Sequence, residues 1–293
     1  MRIKAVALDL DGTLLTEDKK ITEISKQILK DLERKGIKIY LVTGRTYVSA
    51  KPFADELGLN SVIITYNGAK VVDYKDDKVL YEEPLEEKYT KQIIEMAKNK
   101  NIHINLYQDN KWYVENTDNE EAIHYANYTG LTPIKKDFES FDDYGMTKIT
   151  IQNMENSDVF NSLCKEIQDI LGTKIYTAKS QDYLFEILNK NVNKGIVLKR
   201  ILKSEGINLN ECVAFGDALN DLEMLTEVGY GVAMGNSPLI LKKKVRYVTD
   251  TNENNGVAKF LKKYFFEALS QQMVDFWREI AYNNSKKQYH RRR

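Results

Sequence analysis

A pair of acidic residues beside a glycine is the first feature of this 293-residue chain that could do chemistry. Asp9 and Asp11 lie two positions apart in Asp-Leu-Asp-Gly-Thr, so in an extended segment both carboxylates can point into the same crevice. One carboxylate could attack an electrophile while the other transfers a proton. The structural alternative is a turn in which Asp and Gly simply end a strand.

Two further groups contain residue types that bind a phosphoryl group. Thr43 and Gly44 lie in Thr-Gly-Arg at the predicted start of a helix, where a hydroxyl and backbone N–H groups can hold a phosphoryl oxygen. Lys194 opens another predicted helix and could place its charge on a phosphate. Taken one at a time, an ordinary helix cap and a surface lysine explain these residues equally well.

A second acidic cluster lies late in the chain. Asp217, Asn220 and Asp221 occur in Gly-Asp-Ala-Leu-Asn-Asp, directly after the apolar run Cys-Val-Ala-Phe. We predict a helix that begins at Asp217, so that the two carboxylates, four positions apart, face the same side. Carboxylates without Cys or His suit a hard cation, above all Mg²⁺, although Asp at a helix start also stabilises the helix dipole.

The elements around these groups predict an α/β fold. Short apolar runs at residues 3–8, 37–42, 61–65 and 212–215 are predicted to form buried strands, and helical patterns separate them. This alternation is typical of a doubly wound, Rossmann-like parallel sheet. Open sheets of this kind bind ligands at the carboxyl ends of their strands, which is where the polar groups fall.

The middle of the chain follows a different pattern. Over residues 83–189, helices alternate with paired strands, which predicts an α+β domain inserted into the sheet domain. The core domain is therefore discontinuous, with predicted bounds 1–82 and 190–268. Residues 269–293 form a C-terminal extension with apolar residues at helical spacing and a basic end.

Composition excludes several classes of protein. The 43 Lys and Arg residues balance 43 Asp and Glu residues, which argues against a chain built to bind nucleic acid. No apolar run approaches the ~20 residues that cross a bilayer, and the first residues lack the apolar region of a secretory signal. Two cysteines cannot build a disulfide framework. We expect a cytoplasmic protein without a membrane partner, and the oligomeric state is left open.

The four groups resemble, in their order and spacing, the four motifs of the haloacid dehalogenase (HAD) superfamily of phosphohydrolases. The inserted domain looks like the type C2 cap of that superfamily. Residues 65–69 (TYNGA) and 231–236 (GVAMGN) are similar to the Cof-type subfamily, class IIB. The resemblance covers about residues 1–266 and implies an α/β core with an inserted cap.

The resemblance also implies a role for each group. Asp9 would be the nucleophile that accepts the phosphoryl group, and Asp11 would protonate the leaving oxygen and later deprotonate the attacking water. Phosphoryl binding is implied for the Leu10 backbone, Thr43, Gly44, Lys194 and Asn220. Binding of Mg²⁺ is implied for the Asp9 side chain, the Asp11 backbone carbonyl, Asp217 and, through water, Asp221.

The predicted function is the hydrolysis of a small phosphomonoester, with a sugar phosphate as the first candidate substrate. Nucleotide, flavin-precursor and pyridoxal phosphates stay open, because the cap would set the specificity. Two other functions also stay open. One is a phosphomutase, which returns the phosphoryl group to a sugar phosphate, and the other is a non-catalytic protein that binds phosphate or a partner.

Overall fold

The chain folds around two β-sheets that carry helices on their faces. The computed structural model describes residues 3–155, 157–181 and 183–267. The predicted fold class, an α/β core with an inserted α+β cap, is confirmed by the two sheets and their strand order. The predicted extension at 269–293 lies outside the described residues. None of the helices in the described ranges combines the length and apolar character needed to cross a bilayer.

Strands and helices alternate along most of the chain. The described strands are β1 (Ala5–Leu8), β2 (Lys38–Val42), β3 (Val62–Thr65), β4 (Lys70–Asp73), β5 (Lys78–Glu82), β6 (Ile104–Gln108), β7 (Lys111–Val114), β8 (Ile134–Lys135), β9 (Lys148–Gln152), β10 (Ile175–Gln181), β11 (Leu184–Asn189), β12 (Cys212–Gly216), β13 (Tyr230–Ala233) and β14 (Tyr247–Val248). The described α-helices are α1 (Glu23–Arg34), α2 (Tyr47–Leu57), α3 (Glu87–Asn99), α4 (Glu120–Thr129), α5 (Asp158–Leu171), α6 (Lys194–Ser204), α7 (Leu222–Glu227), α8 (Leu239–Lys242) and α9 (Gly256–Lys262). Short 3-10 turns occupy Tyr66–Gly68, Phe138–Ser140, Leu209–Glu211 and Leu219–Asp221, and a π-helical turn covers Lys263–Glu267.

The larger sheet, called the core sheet below, has the strand order β14-β13-β12-β1-β2-β3-β4-β5. The strands from β14 to β3 are parallel, and β4 and β5 extend the sheet as an antiparallel hairpin. This hairpin was not predicted, because its strands are short, contain charged residues and, in β5, are mostly exposed. Since β1 lies between β12 and β2, the carboxyl ends of these three strands are adjacent.

Helices cover the core sheet on both faces. Val6 and Leu8 of β1 point into an apolar cluster with α1, α2 and α9, whereas Ala5 and Ala7 point into a second cluster with α6 and α7. A strand buried on both faces needs a continuous apolar sequence, which is why residues 3–8 predict β1 so clearly. Its carboxyl end is therefore held rigidly where the first acidic pair begins.

The smaller sheet, called the cap sheet, has the order β10-β11-β9-β6-β7-β8 and is antiparallel apart from the pair β7 and β8. Helices α3 and α5 pack on one face, where Ile93 and Phe160 join Ile149 of β9 in one apolar cluster. On the other face, Leu188 of β11 belongs to the same cluster as Val197 of the core helix α6. This face of the cap sheet therefore packs towards the core.

Two neighbouring segments connect the cap to the core. The side-chain amide of Asn189 donates to the Pro84 carbonyl oxygen at 2.8 Å, and that of Asn191 donates to Glu83 Oε1 at 3.4 Å. The outgoing and returning chains are thus joined to each other where the predicted domain boundaries fall, and those boundaries remain a prediction.

Candidate active site

Side chains from four separate segments meet at the carboxyl edge of the core sheet. Asp9 follows β1, Thr43 follows β2 and Asp217 follows β12. Lys194, the first residue of α6, reaches the same place: its Nζ lies 2.6 Å from Asp9 Oδ1 and 2.6 Å from Asp221 Oδ1. The structure therefore brings all four sequence groups together.

Lys194 is a buried cation between two carboxylates. Burial on its own favours the neutral amine, but the charges and hydrogen bonds of Asp221 and Asp9 outweigh it and raise the pKa of Lys194. Asn193 caps α6 by accepting a hydrogen bond from the Ile196 N–H at 2.7 Å, which fixes the backbone from which the lysine extends. The ammonium stays charged and engages only one of the two oxygens of Asp9.

Three carboxylates form an acidic cluster beside this lysine. One oxygen each from Asp9, Asp217 and Asp221 lies within 4.8 Å of the others. Burial, reinforced by the charge of Asp221, raises the pKa of Asp217 to about 7. Burial also raises the pKa of Asp9 well above its ordinary value despite Lys194. Because a divalent cation prefers carboxylate oxygens and would cancel this repulsion, the residues present fit a hard metal ion.

Gly12 leaves the space that the Asp217 carboxylate fills. Its backbone is left-handed, with φ +73°, and a Cβ there would lie 2.4 Å from Asp217 Oδ2. The turn is closed by a hydrogen bond from the Thr13 N–H to the Leu10 carbonyl oxygen at 3.3 Å, and Thr13 Oγ1 donates to Asp217 Oδ1 at 3.1 Å. The Asn236 amide donates to the Gly12 carbonyl oxygen at 2.8 Å. The first motif thus orients the fourth.

The segment around Asp221 differs from the predicted helix. Ala218 is extended (φ −118°, ψ 173°), and the 3-10 turn Leu219–Asp221 precedes α7. Asp221 Oδ2 accepts the backbone N–H of Asp217 at 2.9 Å and that of Ala218 at 3.0 Å, which holds these residues out of helical geometry. The prediction of a helix from Asp217 was therefore wrong, and the two carboxylates approach through a turn.

The Asp11 side chain is held by cations. Arg45 Nε and Nη2 donate to its two oxygens at 2.6 and 2.8 Å, and Lys19 Nζ donates at 2.8 Å. Burial opposes ionisation of Asp11, but Arg45 and Lys19 outweigh it and lower the pKa of this carboxyl to about 2. Asp11 is therefore ionised in this arrangement, and both of its carboxylate oxygens are engaged by these cations.

The loop after β2 presents a hydroxyl. Thr43 is buried, and its Oγ1 accepts the Arg45 N–H at 3.1 Å. Because that bond uses the oxygen as an acceptor, the hydroxyl hydrogen remains to donate to a bound anion. A Cβ on Gly44 would lie 3.0 Å from Asn67 Oδ1, so this loop and the Tyr66–Gly68 turn are closely packed.

Several residues of the site have no role predicted from the sequence. Lys148 and Glu186 come from the cap sheet: their Nζ and Oε1 atoms lie 2.9 Å apart, and Lys148 also donates to the Gly44 carbonyl oxygen at 2.9 Å. Asn67 donates to Glu186 Oε2 at 2.7 Å and accepts from the Asn220 amide at 3.0 Å. Two of these residues lay in segments that the sequence had singled out, Arg45 in Thr-Gly-Arg and Asn67 in residues 65–69. The residues missed in this way are Lys19, Arg45, Asn67, Lys148 and Glu186.

A cavity of about 100 Å³ joins these groups between the core and the cap. Its core wall includes Asp9, Asp11, Thr43 and Asp217. Next to them the cavity offers hydroxyl groups, aromatic rings and aliphatic side chains, contributed by Thr46, Ser49, Tyr125, Tyr128, Thr129, Leu131 and Leu184. This lining can surround a small anion together with a larger, partly polar group attached to it.

Comparisons with known proteins agree with this site. The sequence model of the haloacid dehalogenase-like hydrolase family matches residues 6–261. A predicted phosphatase of Buchnera aphidicola subsp. Baizongia pistaciae is 34% identical over 269 residues, which are 89% of this chain and 98% of that protein. The 5-amino-6-(5-phospho-D-ribitylamino)uracil phosphatase YcsE of Bacillus subtilis is 30% identical over 266 residues, with coverage of 89% and 96%. A haloacid dehalogenase-like hydrolase from Bacteroides thetaiotaomicron superposes with a TM-score of 0.81 at 28% identity, covering 90% of this chain and 100% of its own.

The family match spans most of the chain and coincides with the four groups at the sheet edge. The chain belongs to the haloacid dehalogenase-like hydrolase family. The resemblance inferred from the sequence is thereby confirmed, and so is the enzyme class, a phosphoric monoester hydrolase.

Proposed function

We propose that this chain is a Mg²⁺-dependent phosphatase that hydrolyses small phosphorylated metabolites through an aspartyl-phosphate on Asp9. The observation that supports it best is the position of Lys194, 2.6 Å from Asp9 and beside the acidic cluster with Asp217. Both cysteines, Cys164 and Cys212, are buried and unpaired, which is consistent with a cytoplasmic location.

The proposed reaction proceeds in two displacements. Because Lys194 engages Oδ1 of Asp9, the other oxygen attacks phosphorus, and the bond from phosphorus to the ester oxygen breaks. Asp11 first exchanges Arg45 and Lys19 for the substrate and takes up a proton from solvent. It gives this proton to the departing oxygen and then takes one from a water molecule. That water attacks phosphorus, releases inorganic phosphate and restores the Asp9 carboxylate. The transferring group is held by the Leu10 backbone, Thr43, Gly44 and Asn220.

The cations of the site answer a charge problem. A carboxylate that attacks a phosphomonoester dianion brings about three negative charges together, and each pair at 4 Å costs about 4 kcal/mol at an effective dielectric of 20. Lys194 offsets one of these charges. Mg²⁺, when bound, would stabilise the negative charge of the transferring oxygens. The residues that would hold it are Asp9, Asp217, the Asp11 backbone carbonyl and, through water, Asp221.

The cavity supports a substrate in which phosphate is joined to a hydroxylated or ring-containing group. Thr46 and Ser49 offer hydroxyls, while Tyr125 and Tyr128 offer aromatic faces. A sugar phosphate is the first candidate. A phosphorylated ribitylaminouracil is the second, because a relative at 30% identity is named for that substrate and the cavity has both kinds of wall.

Release of inorganic phosphate from a panel of esters is the test of this function. The panel contains sugar phosphates, nucleoside monophosphates, flavin mononucleotide, pyridoxal phosphate and 5-amino-6-(5-phospho-D-ribitylamino)uracil, each with Mg²⁺ and without a bisphosphate. We expect turnover of at least one ester, its loss on chelation with EDTA because the acidic cluster loses its cation, and its return when Mg²⁺ is added in excess.

Three outcomes would contradict the proposal in different ways. Activity that persists in EDTA would remove the metal requirement. Phosphate release or isomerisation that needs a bisphosphate activator would favour a phosphomutase. A folded enzyme that binds inorganic phosphate but hydrolyses none of the esters would favour a phosphate-binding protein.

Substitution of Gly12 should affect activity more than stability. In Gly12→Ala the left-handed backbone costs about 1 kcal/mol of unfolding free energy. The new methyl group must also displace the Asp217 carboxylate, so we expect kcat/KM to fall about 10²-fold. Both quantities can be measured, by denaturant unfolding and by hydrolysis of p-nitrophenyl phosphate.

Gly36→Ala is the matched control for this variant. Gly36 has a similar φ of +81°, but a Cβ there would meet nothing within 4 Å. The free energy of unfolding of Gly36→Ala should therefore fall by about 1 kcal/mol, as in Gly12→Ala, while kcat/KM stays at the wild-type value. If both variants were equally active, Asp217 would not need the space that Gly12 leaves.

A further inference from the structure

A buried ion pair of the cap contacts the core beside the phosphoryl-binding residues. Lys148 of β9 and Glu186 of β11 project from the same face of neighbouring strands, since Glu186 lies opposite Thr150, two positions from Lys148. Lys148 Nζ and Glu186 Oε1 lie 2.9 Å apart. The two residues are 1% and 3% exposed, so both charges are removed from water.

Lys148 also binds the loop after β2. Its Nζ donates to the Gly44 carbonyl oxygen at 2.9 Å. That carbonyl shares a peptide plane with the Arg45 N–H, which donates to Thr43 Oγ1 at 3.1 Å. A fixed Gly44 carbonyl therefore fixes the N–H that orients the Thr43 hydroxyl.

Glu186 is the acceptor at one end of a second series of hydrogen bonds. Asn67 Nδ2 donates to Glu186 Oε2 at 2.7 Å, and Asn220 Nδ2 donates to Asn67 Oδ1 at 3.0 Å. The plane of the Asn220 amide is set by this contact, and so is the direction of its remaining N–H. Each chain thus begins at the cap pair and ends at a residue proposed to bind the phosphoryl group.

Stability alone does not explain this pair. Removing two charges from water costs more than their attraction returns unless other groups satisfy them, and well-packed apolar residues at such positions are often as stable. Here the groups that satisfy the pair belong to the core, namely Gly44 and Asn67. The rings of Tyr107 and Tyr66 also lie 5.1 and 5.9 Å from Lys148 Nζ. The two charges therefore have all of these hydrogen-bond partners only when the cap packs on the core.

We propose that Lys148 and Glu186 are positioning residues, which order the Thr43–Gly44 loop and the Asn220 amide when the cap is seated on the core. They act through Gly44 and Asn67. This inference rests on the proposed function, since it assigns the pair a task within that phosphatase site. It predicts that phosphoryl binding depends on a part of the cap that does not bear the reacting groups.

The test removes both charges together. In the double variant Lys148→Met/Glu186→Leu no buried charge is left without its partner, although the Gly44 carbonyl and the Asn67 amide each lose one hydrogen bond. We therefore expect a folded protein whose melting temperature falls by only a few degrees. kcat/KM for p-nitrophenyl phosphate should fall about ten-fold or more, since ordered hydrogen bonds to the anion are lost. The dissociation constant of inorganic phosphate, measured by calorimetry with Mg²⁺, should rise about ten-fold. Glu186→Gln keeps the shape of the side chain and an acceptor for Asn67. Its kcat/KM and its phosphate dissociation constant should therefore lie between those of the wild type and the double variant.

Lys70→Met is the matched control. Lys70 is a buried lysine of the core sheet that pairs with Glu82 at 2.9 Å, so its removal should lower the melting temperature and leave the phosphate dissociation constant unchanged. A folded double variant with wild-type kcat/KM and phosphate affinity would overturn the inference. If the double variant does not fold, the same measurements on Lys148→Met decide, because this change removes the hydrogen bond to the Gly44 carbonyl oxygen, and wild-type values would again overturn the inference. A wild type that hydrolyses no ester but binds phosphate more tightly than the variant would refute the proposed function and support the positioning role.

Discussion

Asp9→Asn is expected to abolish turnover of every phosphomonoester, by about 10⁴-fold or more, because a carboxamide cannot form the proposed covalent bond to phosphorus. Hydrolysis of p-nitrophenyl phosphate with Mg²⁺ gives the most sensitive measurement. Asp9→Ala, which cannot return to aspartate by deamidation, should agree with Asp9→Asn. Residual hydrolysis well above background in both variants would remove Asp9 from the role of nucleophile.

The fold of Asp9→Asn should survive this loss. Asparagine has nearly the size of aspartate, and its oxygen can accept the hydrogen bond that Lys194 gives to Asp9. Lys194 also keeps its second partner, Asp221. We expect the free energy of unfolding to stay within about 1 kcal/mol of the wild type. An inactive variant that remains folded would separate the chemistry from the scaffold.

The polar residues at the carboxyl edge of the core sheet could be predicted because each of them follows a pattern within a few neighbouring residues of the sequence. Asp9, Thr43 and Asp217 each follow a short apolar run, and such runs form neighbouring parallel strands whose carboxyl ends share an edge. The doubly wound fold class implies that the strands before these three residues lie next to one another in the sheet. Two acidic pairs and one lysine could therefore be placed together before their distances were known.

The cap side of the site could not be predicted in this way. Lys148 and Glu186 occupy alternating strands, where a charged residue normally indicates a face in water. They are buried only because the cap sheet packs onto the core, a contact between segments far apart in the sequence. No local pattern contains that information.

Local patterns were also insufficient within the core. The spacing of Asp217 and Asp221 fits a helix, but the Asp221 carboxylate binds the backbone N–H groups of Asp217 and Ala218 and imposes a turn. Side-chain competition for backbone donors is common for aspartate, and the sequence does not say which donors win. Similarly, nothing in the sequence pairs Asp11 with Lys19, which lies in a turn eight positions away.

Asp11→Asn is expected to reduce kcat by about 10²–10⁴-fold for a sugar phosphate, because an alkoxide leaves poorly without a proton and the attacking water loses its base. The effect should depend on the leaving group. p-Nitrophenolate departs without protonation, so the first displacement on p-nitrophenyl phosphate should remain fast while the second becomes slow. Stopped-flow absorbance can separate the two steps.

A burst of nitrophenolate, one per active site, should therefore precede a slow steady rate in Asp11→Asn. Because the phosphoryl group cannot leave Asp9 quickly, intact-protein mass spectrometry after rapid quenching should detect it on the enzyme. The double variant Asp9→Asn/Asp11→Asn should show neither the burst nor the adduct. If Asp11→Asn slows both substrates equally and shows no burst, Asp11 is not the proton donor. Asp11 would then contribute through its ion pair with Arg45. This ion pair holds Arg45, whose backbone N–H donates to the Thr43 hydroxyl oxygen.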